Sequence, residues 1–128
     1  MASIQSYRDL VAWQRAFELG LAVYRLTEAM PAHERFGLIS QLRRGAVSLA
    51  SNIAEGYGRG TTQDYARFLR VARGCLYELE TQIQFAIRLG YVEAAECEPI
   101  QSQLDECGRV LAGLIRSVES LNQTSSGA

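Results

Sequence analysis

The chain has 128 residues, enough for one domain with a buried core, and no linker divides it, so we expect a single domain over residues 1–128. Its hydrophobic residues, 48% of the total, are spread along the chain, which excludes a membrane-length apolar run, and its first residues lack the pattern of a secretory signal. The net charge of −1 excludes a strongly basic protein, and the spacing of the three cysteines excludes a zinc site and a CxxC redox pair. We therefore expect a cytoplasmic protein with reduced cysteines and no membrane partner.

The first predicted helix begins near Ser6, which forms a capping-box pattern with Asp9, and ends at Pro31. Its main apolar stripe has steps of three and four residues and consists of Leu10, Trp13, Phe17, Leu21 and Tyr24. Further apolar residues lie off this stripe, namely Val11, Leu19, Ala22, Val23 and Leu26. A helix that is apolar on two sides is either central or covered by another subunit, so the pattern favours a homo-oligomer.

The second predicted helix begins near Glu34 and ends at a cluster of glycines, Gly56, Gly58 and Gly60. Its apolar stripe consists of Ile39, Leu42, Ala46, Leu49, Ile53 and Tyr57. Thr61 and Asp64 predict a capping box for the third helix, which would be roughly 40 Å long and end at Gly90. The stripe of the third helix consists of Tyr65, Phe68, Leu69, Ala72, Leu76, Leu79, Ile83 and Ala86.

The last predicted helix has the most regular spacing, because its apolar residues alternate steps of four and three. They are Ile100, Leu104, Cys107, Leu111, Leu114, Val118 and Leu121. Two starts remain open: the helix opens with Pro99 in its first turn, or it begins near Glu93 and is kinked. We expect an ordered core over about residues 7–121 and a disordered tail over residues 122–128. Four amphipathic helices with short connections predict an all-α, antiparallel, up-down-up-down four-helix bundle.

Residues 45–60, GAVSLASNIAEGYGRG, combine many small side chains with Asn52 and Glu55 on or beside the apolar stripe. Small side chains let a neighbouring helix approach closely, which compensates for glycine in a helix. An unpaired polar group at this position would cost about 1–3 kcal/mol, so we predict that Asn52 and Glu55 form a structural polar network.

The sequence contains no arrangement of residues typical of an active site. HExxH, GxSxG, Walker-type and strand-linked GxGxxG motifs are absent, as is the Glu-x-x-His pair of di-iron bundles. We expect His33 to face solvent in a turn, and Tyr57, Tyr65 and Tyr77 to be packing residues. The sequence therefore predicts no catalytic residue, no metal and no cofactor, and hence a protein that is not an enzyme.

Arginines are concentrated in the middle of the chain, where residues 31–75 hold seven of them against three acids. Residues 76–128 hold three arginines against eight acids, and the chain has no lysine. Arg43 and Arg44 on the second helix, Arg59 in the loop, and Arg67 and Arg70 on the third helix suggest a phosphate-binding patch at one end of the bundle. The alternative is pairing with acids of the second half of the chain, for example Glu78, Glu80, Glu96 and Glu98.

Four segments, LVAWQRAFELGLAVYRLT, ERFGLISQLRRGAVSLASNIAEGYGRG, FLRVARGCLYELETQIQFAIRLGYV and GRVLAGLIRSV, resemble the four-helix-bundle family named after proteins encoded within intervening sequences of bacterial 23S rRNA genes. The matching motif positions are Gln41, Arg43, Arg44, Asn52, Glu55, Gly56 and Arg59. The resemblance adds Gln41 to the predicted polar network. The family name records a gene location and no biochemical activity.

This family is similar to the accessory protein of diversity-generating retroelements, a homopentamer that binds nucleic acid and a reverse transcriptase. The resemblance therefore implies a pentamer, RNA or DNA as a ligand, and a protein partner such as a reverse transcriptase. Two hypotheses for function follow. The first is a non-enzymatic oligomeric protein that binds nucleic acid or assists a ribonucleoprotein, and the second is a protein-interaction scaffold whose arginines pair internally or with an acidic partner.

Overall fold

The computed structural model describes residues 3–127 of the chain and the side chains of residues 3–122. It contains four α-helices: α1 (Val11–Glu28), α2 (Leu38–Tyr57), α3 (Thr62–Arg88) and α4 (Glu98–Gly127). Short 3-10 turns precede α1, α2 and α4, at Tyr7–Asp9, Ala32–Glu34 and Ala95–Cys97. Within the described residues no strand is present, so the predicted all-α class is confirmed.

The helices form a bundle in which each helix contacts its two neighbours. α1 contacts α2, α2 contacts α3, α3 contacts α4, and α4 returns to α1. Helices joined by short connections lie antiparallel, which gives the up-down-up-down order. The long α3 has a core face that lies in the predicted stripe and includes Leu69, Leu76, Leu79 and Ile83. The backbone of residues 122–127, which were predicted to belong to a disordered tail, continues α4, whereas residue 128 and the side chains beyond residue 122 lie outside the described residues.

The start of α1 differs from the sequence prediction. The Ser6–Asp9 capping box is present, but it caps the 3-10 turn Tyr7–Asp9. Leu10 then adopts an extended conformation, with φ −71° and ψ 125°, and α1 begins only at Val11. The capping pattern therefore fixed the local conformation correctly and placed the helix start a few residues too early.

The core face of α1 was also predicted incorrectly. Its buried residues are Ala12, Ala16, Leu19, Val23, Leu26 and Thr27. Of the predicted stripe, only Leu10, which precedes the helix, is buried, whereas Phe17, Leu21 and Tyr24 are exposed and Trp13 is half-buried. The helix is indeed apolar on two sides, but the larger side chains face outward. α1 contacts α2 at Gly20, where an added Cβ would make an ordinary contact with the Ala46 carbonyl oxygen at 3.7 Å.

Helix ends follow from local interactions. The hydroxyl of Thr61 accepts the backbone N–H of Asp64 and caps α3. At the end of α3, the Tyr91 N–H donates to the Ala86 carbonyl and the Gly90 N–H donates to the Ile87 carbonyl, which is a Schellman motif. Gly90 has φ +77°, a left-handed conformation that favours glycine.

Two features of α4 are settled by the structure. The helix opens at Glu98 with Pro99 in its first turn, so the first of the two alternative starts is the one observed. Its core seam follows the prediction through Leu111 and again at Val118, but Ile115 is buried where Leu114 was expected, and Leu121 is exposed. A straight helix drifts relative to a strict seven-residue repeat, which explains the change.

Candidate functional site

Arg43 is part of the contact between α1 and α2. Its Nε donates to the hydroxyl of Thr27 at 2.8 Å, and its guanidinium lies 4.9 Å from the centre of the Tyr24 ring. Thr27 is buried, and its hydroxyl donates in turn to the Tyr24 carbonyl at 2.9 Å. A hydrogen bond to a charged group is worth more than one between neutral groups, so Arg43 stabilises the position of α1 on α2.

Arg59 and Arg67 lie around Asp64 where α2 passes into α3. Arg67 Nη2 is 3.4 Å from Asp64 Oδ1, and Arg59 Nε is 3.9 Å from Asp64 Oδ2. Both guanidinium groups also lie over the Phe68 ring, at 5.4 Å for Arg59 and 4.6 Å for Arg67. About half of each arginine side chain is exposed. Exposed ion pairs contribute little stability, so Asp64 does not hold these guanidinium groups tightly. Their N–H groups can therefore still donate to a ligand.

The remaining predicted arginines point to other neighbours. Arg70 Nη1 is 3.2 Å from Glu119 Oε2 on α4. Arg44 is exposed and has no ion pair among the described residues, and it borders a cavity of about 390 Å³ that also contains Cys75. Arg44 lies about 20 Å along α2 from the helix end at Tyr57, so it is separated from the loop arginines Arg59 and Arg67.

Arginines do pair with acids of the second half of the chain, at Glu106 and Glu119, although not with the four acids named as examples. The described ion pairs use Glu55, Asp64, Glu106 and Glu119, and the shortest is from Arg15 Nε to Glu106 Oε1 at 2.6 Å. None of them uses the acids proposed from the sequence, which were Glu78, Glu80, Glu96 and Glu98.

The predicted polar network consists of separate parts in the structure. Asn52 Nδ2 donates to the carbonyl of Ser48 at 2.8 Å and lies 3.0 Å from its hydroxyl. That hydroxyl in turn accepts from Cys75 Sγ on α3 at 3.4 Å, which links α2 to α3. Glu55 is exposed and lies 3.8 Å from Arg59, and Gln41 is exposed on another part of α2.

The outer side of α1 and the adjacent side of α2 enclose a shallow apolar groove of about 320 Å³, which we call the α1–α2 groove. Its α1 wall is formed by Trp13, Phe17, Leu21 and Tyr24. Its floor on α2 is formed by Ala46, Ala50 and Ala54, which belong to the small-residue segment 45–60. This segment therefore has two roles, because another of its residues, Gly56, packs directly against Phe68 of α3.

A second apolar groove of about 640 Å³ lies between the start of α2 and the end of α3, and we call it the α2–α3 groove. Tyr77, Phe85 and Leu89 of α3 form one side, and Leu38 and Gln41 of α2 form the other. Tyr77 was predicted to be a packing residue, but it is exposed. The sequence does indicate this surface. Tyr77, Phe85 and Leu89 are separated by multiples of four residues, so they form a second apolar row beside the core stripe.

Glu34 joins three elements at this end of the bundle. Its Oε1 accepts the Leu38 N–H at 2.9 Å at the start of α2, and its Oε2 accepts the Tyr91 hydroxyl at 2.8 Å. These two hydrogen bonds lower the pKa of Glu34, and the bond from the Leu38 backbone has the larger effect. His33 is exposed, as predicted, with Nε2 at 3.3 Å from the Tyr91 hydroxyl. Gly37 leaves room for the Glu34 carboxylate, which an added Cβ would meet.

The three cysteines are free thiols, of which Cys97 and Cys107 are buried and Cys75 is half-buried. Burial raises the pKa of the Cys107 thiol to about 11, and Glu106 contributes in the same direction. In the described part of the chain, no three His, Cys, Asp or Glu side chains are grouped so that they could hold a metal ion. None of the described helices is both long enough and apolar enough to cross a membrane.

The fold and these surfaces define an all-α four-helix bundle with two exposed apolar grooves and arginines distributed along α2 and α3. The family model described as 23S rRNA-intervening sequence protein matches residues 8–113. The chain therefore belongs to the 23S rRNA-intervening sequence protein family, as the four sequence segments predicted.

A solved structure from Bacteroides thetaiotaomicron, described as a protein with unknown function from the S23 ribosomal protein family, is similar to this chain. The TM-score is 0.75 and the sequence identity 20%, over 83% of this chain and 96% of the other. This level of identity supports the four-helix fold alone. No curated protein matches the chain.

Proposed function

We propose that the protein is a non-enzymatic scaffold that assembles with copies of itself through the outer face of α1. One observation carries the proposal: α1 presents Trp13, Phe17, Leu21 and Tyr24 around an apolar groove, although a single bundle buries the other face of the same helix. Phe17 is 46% exposed. Contiguous exposed apolar surface of this kind marks protein interaction sites in soluble proteins.

The arginine contacts favour the scaffold hypothesis over the nucleic-acid-binding hypothesis. Arg43 binds Thr27 and Tyr24, and Arg70 pairs with Glu119, so these side chains have structural contacts in the isolated chain. The distance between Arg44 and the loop arginines further reduces the density of positive charge that a polyphosphate would meet.

Light scattering on the purified chain tests the proposal. The wild type is expected to give a mass that is a multiple of the 14.2 kDa chain, and Phe17→Glu, which places a charge in the α1–α2 groove, is expected to lower that mass toward one chain. Leu121→Glu is a matched control, because Leu121 is also exposed and lies on α4, away from both grooves. A wild type that stays monomeric at high concentration contradicts the proposal, as does a Phe17→Glu variant with unchanged mass.

Nucleic-acid binding is the second candidate, and the exposed guanidinium groups of Arg44, Arg59 and Arg67 favour it. If it holds, affinity for a mixed RNA and DNA pool falls linearly with salt on logarithmic axes, with a slope that reflects the number of phosphates contacted. Combined Arg44→Gln, Arg59→Gln and Arg67→Gln substitution is expected to reduce that slope, while Arg109→Gln on α4 leaves it unchanged. Affinity that is independent of salt rejects this candidate.

The resemblance to the accessory protein of diversity-generating retroelements supplies two finer proposals, a pentamer and a reverse transcriptase as protein partner. The first is tested by the mass in the light-scattering measurement, and the second by mixing the purified chain with a retroelement reverse transcriptase on a sizing column. Separate elution of the two proteins contradicts the second.

A further inference from the structure

Two rows of apolar side chains, one on α1 and one along α3, protrude from the bundle at multiples of four residues. Trp13, Phe17 and Leu21 follow each other at four-residue steps on α1, and Trp13 and Phe17 stack with ring centres 5.1 Å apart. Along α3, Tyr77 and Phe85 are eight residues apart with Thr81 between them, and Leu89 follows four residues later, directly after the helix. Rows at multiples of four residues are the ridges that pack into grooves where helices meet.

Each row borders a groove that suits the other row. The α1 row stands beside a floor of small side chains, Ala46, Ala50 and Ala54, which leaves room for large residues of a partner. The α3 row stands beside the wider α2–α3 groove of about 640 Å³. Phe85 is 59% exposed, so its ring is available to a partner in the isolated chain.

The charges at the two grooves are complementary. Guanidinium groups lie at both ends of the α1–α2 groove, with Arg8 over Tyr7 at 5.0 Å and Arg43 over Tyr24 at 4.9 Å. The lining of the α2–α3 groove contains the carboxylates of Glu34 and Glu78 and no cation, although Arg44 borders the adjoining cavity. Complementary charge at the rim of an interface favours one orientation of the partners.

We infer that the α2–α3 groove of one copy receives the α1 row of a second copy, so that two different surfaces of the same chain form the contact. This inference rests on the proposed self-association and names the surface that α1 contacts. Because the surfaces differ, the contact is heterologous: in a pair, one copy keeps a free α1 row and the other keeps a free α2–α3 groove, until further copies close a ring or extend a filament.

Two variants that each block one surface test the inference. Phe17→Glu blocks the α1 row and leaves the α2–α3 groove intact, and Phe85→Glu does the opposite. Each variant alone is expected to be monomeric. An equimolar mixture is expected to form a complex of twice the 14.2 kDa chain and to grow no further, because only one intact pair of surfaces remains.

The other outcomes are distinguishable. If Phe17→Glu is monomeric and Phe85→Glu assembles like the wild type, the α2–α3 groove is not the partner surface, and the proposed self-association stands without this inference. If both variants are monomeric and the mixture stays monomeric, the heterologous contact is rejected. If the wild type is monomeric, the proposed function fails first.

Circular dichroism checks that both variants keep the helical content of the wild type. Phe17→Ala and Phe85→Ala provide a second pair that adds no charge, and each is expected to raise the dissociation constant about 30-fold or more while the mixture again associates more tightly than either variant alone. Equal dissociation constants for the mixture and for the single variants reject the inference.

Discussion

The two faces of α1 show that the side of a helix with the largest apolar side chains need not be the side that faces the core. The inner face is built mainly of alanine and medium aliphatic residues, such as Ala12, Ala16 and Leu19. The outer face contains Trp13 and Phe17, which have much larger side chains. The inner face packs against α2 and α4, whereas Phe17, Leu21 and Tyr24 of the outer face remain exposed.

The largest expected effect comes from shortening one leucine on each face. Leu19 is fully buried and Leu21 is 37% exposed. Leu19→Ala is expected to lower the free energy of unfolding by about 3–5 kcal/mol, because it leaves a cavity in the core. Leu21→Ala is expected to lower it by less than about 1 kcal/mol, because the outer face has no core around it.

Urea denaturation of both variants measures this difference. Both variants are made in the Phe17→Glu background, which is expected to be monomeric, because an oligomer that covers Leu21 would add its interface to the measured stability. Equal losses for Leu19→Ala and Leu21→Ala would mean that both faces of α1 are buried in one chain.

A glycine pair extends the comparison to α2 and α3. A Cβ at Gly56 would lie 2.8 Å from the Cβ of Phe68, which is too close, whereas a Cβ at Gly74 would have nothing within 4 Å. Gly56→Ala is therefore expected to destabilise the protein by about 1–3 kcal/mol. Gly74→Ala is expected to stabilise it by up to about 1 kcal/mol, because alanine favours a helix interior. Thermal denaturation gives both signs, and a stabilising Gly56→Ala would contradict the close contact.

The neighbouring arginines of α2 also differ in their surroundings, and we expect a smaller difference in stability from replacing them. Arg43 donates to the buried Thr27, whereas Arg44 is exposed without an ion pair among the described residues. Arg43→Ala is expected to cost about 1–2 kcal/mol of unfolding free energy, and Arg44→Ala less than about 0.5 kcal/mol. Chemical denaturation of the two single variants distinguishes them, and similar costs would mean that the hydrogen bond to Thr27 contributes no stability.

The smallest effect concerns the pH dependence of stability at Glu34. The hydrogen bonds from the Leu38 N–H and the Tyr91 hydroxyl lower the pKa of Glu34 in the folded protein below its ordinary value of 4.5. The stabilisation is therefore present above about pH 4.5 and is lost as the pH falls through the lowered pKa.

Denaturation of the wild type and Glu34→Gln between about pH 6 and pH 3 measures this contribution. The wild type is expected to be the more stable protein at the upper end, and the difference is expected to shrink toward the lower end. A difference that stays constant over this range would show that the Glu34 carboxylate does not contribute through its charge.

The sequence predicted local features well and the directions of side chains less well. The Thr61 cap and the end of α3 near Gly90 are interactions within a few residues, so their patterns are visible in the chain itself. The outward direction of Tyr77 depends on neighbouring helices. The stripe of α1 failed for the same reason, because periodicity shows that a helix has apolar faces and does not show which of them meets α2.

The candidate sites show the same division. The sequence identified the arginines and the small residues of segment 45–60, but it could not pair Arg70 with Glu119 or Arg43 with Thr27, because these partners come from other helices. By itself, the sequence determined four helices, the end of α2, both ends of α3 and the protein family. Only the tertiary structure decided which face of α1 is buried, where each arginine lies and which apolar rows remain exposed, because these properties depend on how closely each helix approaches its neighbours.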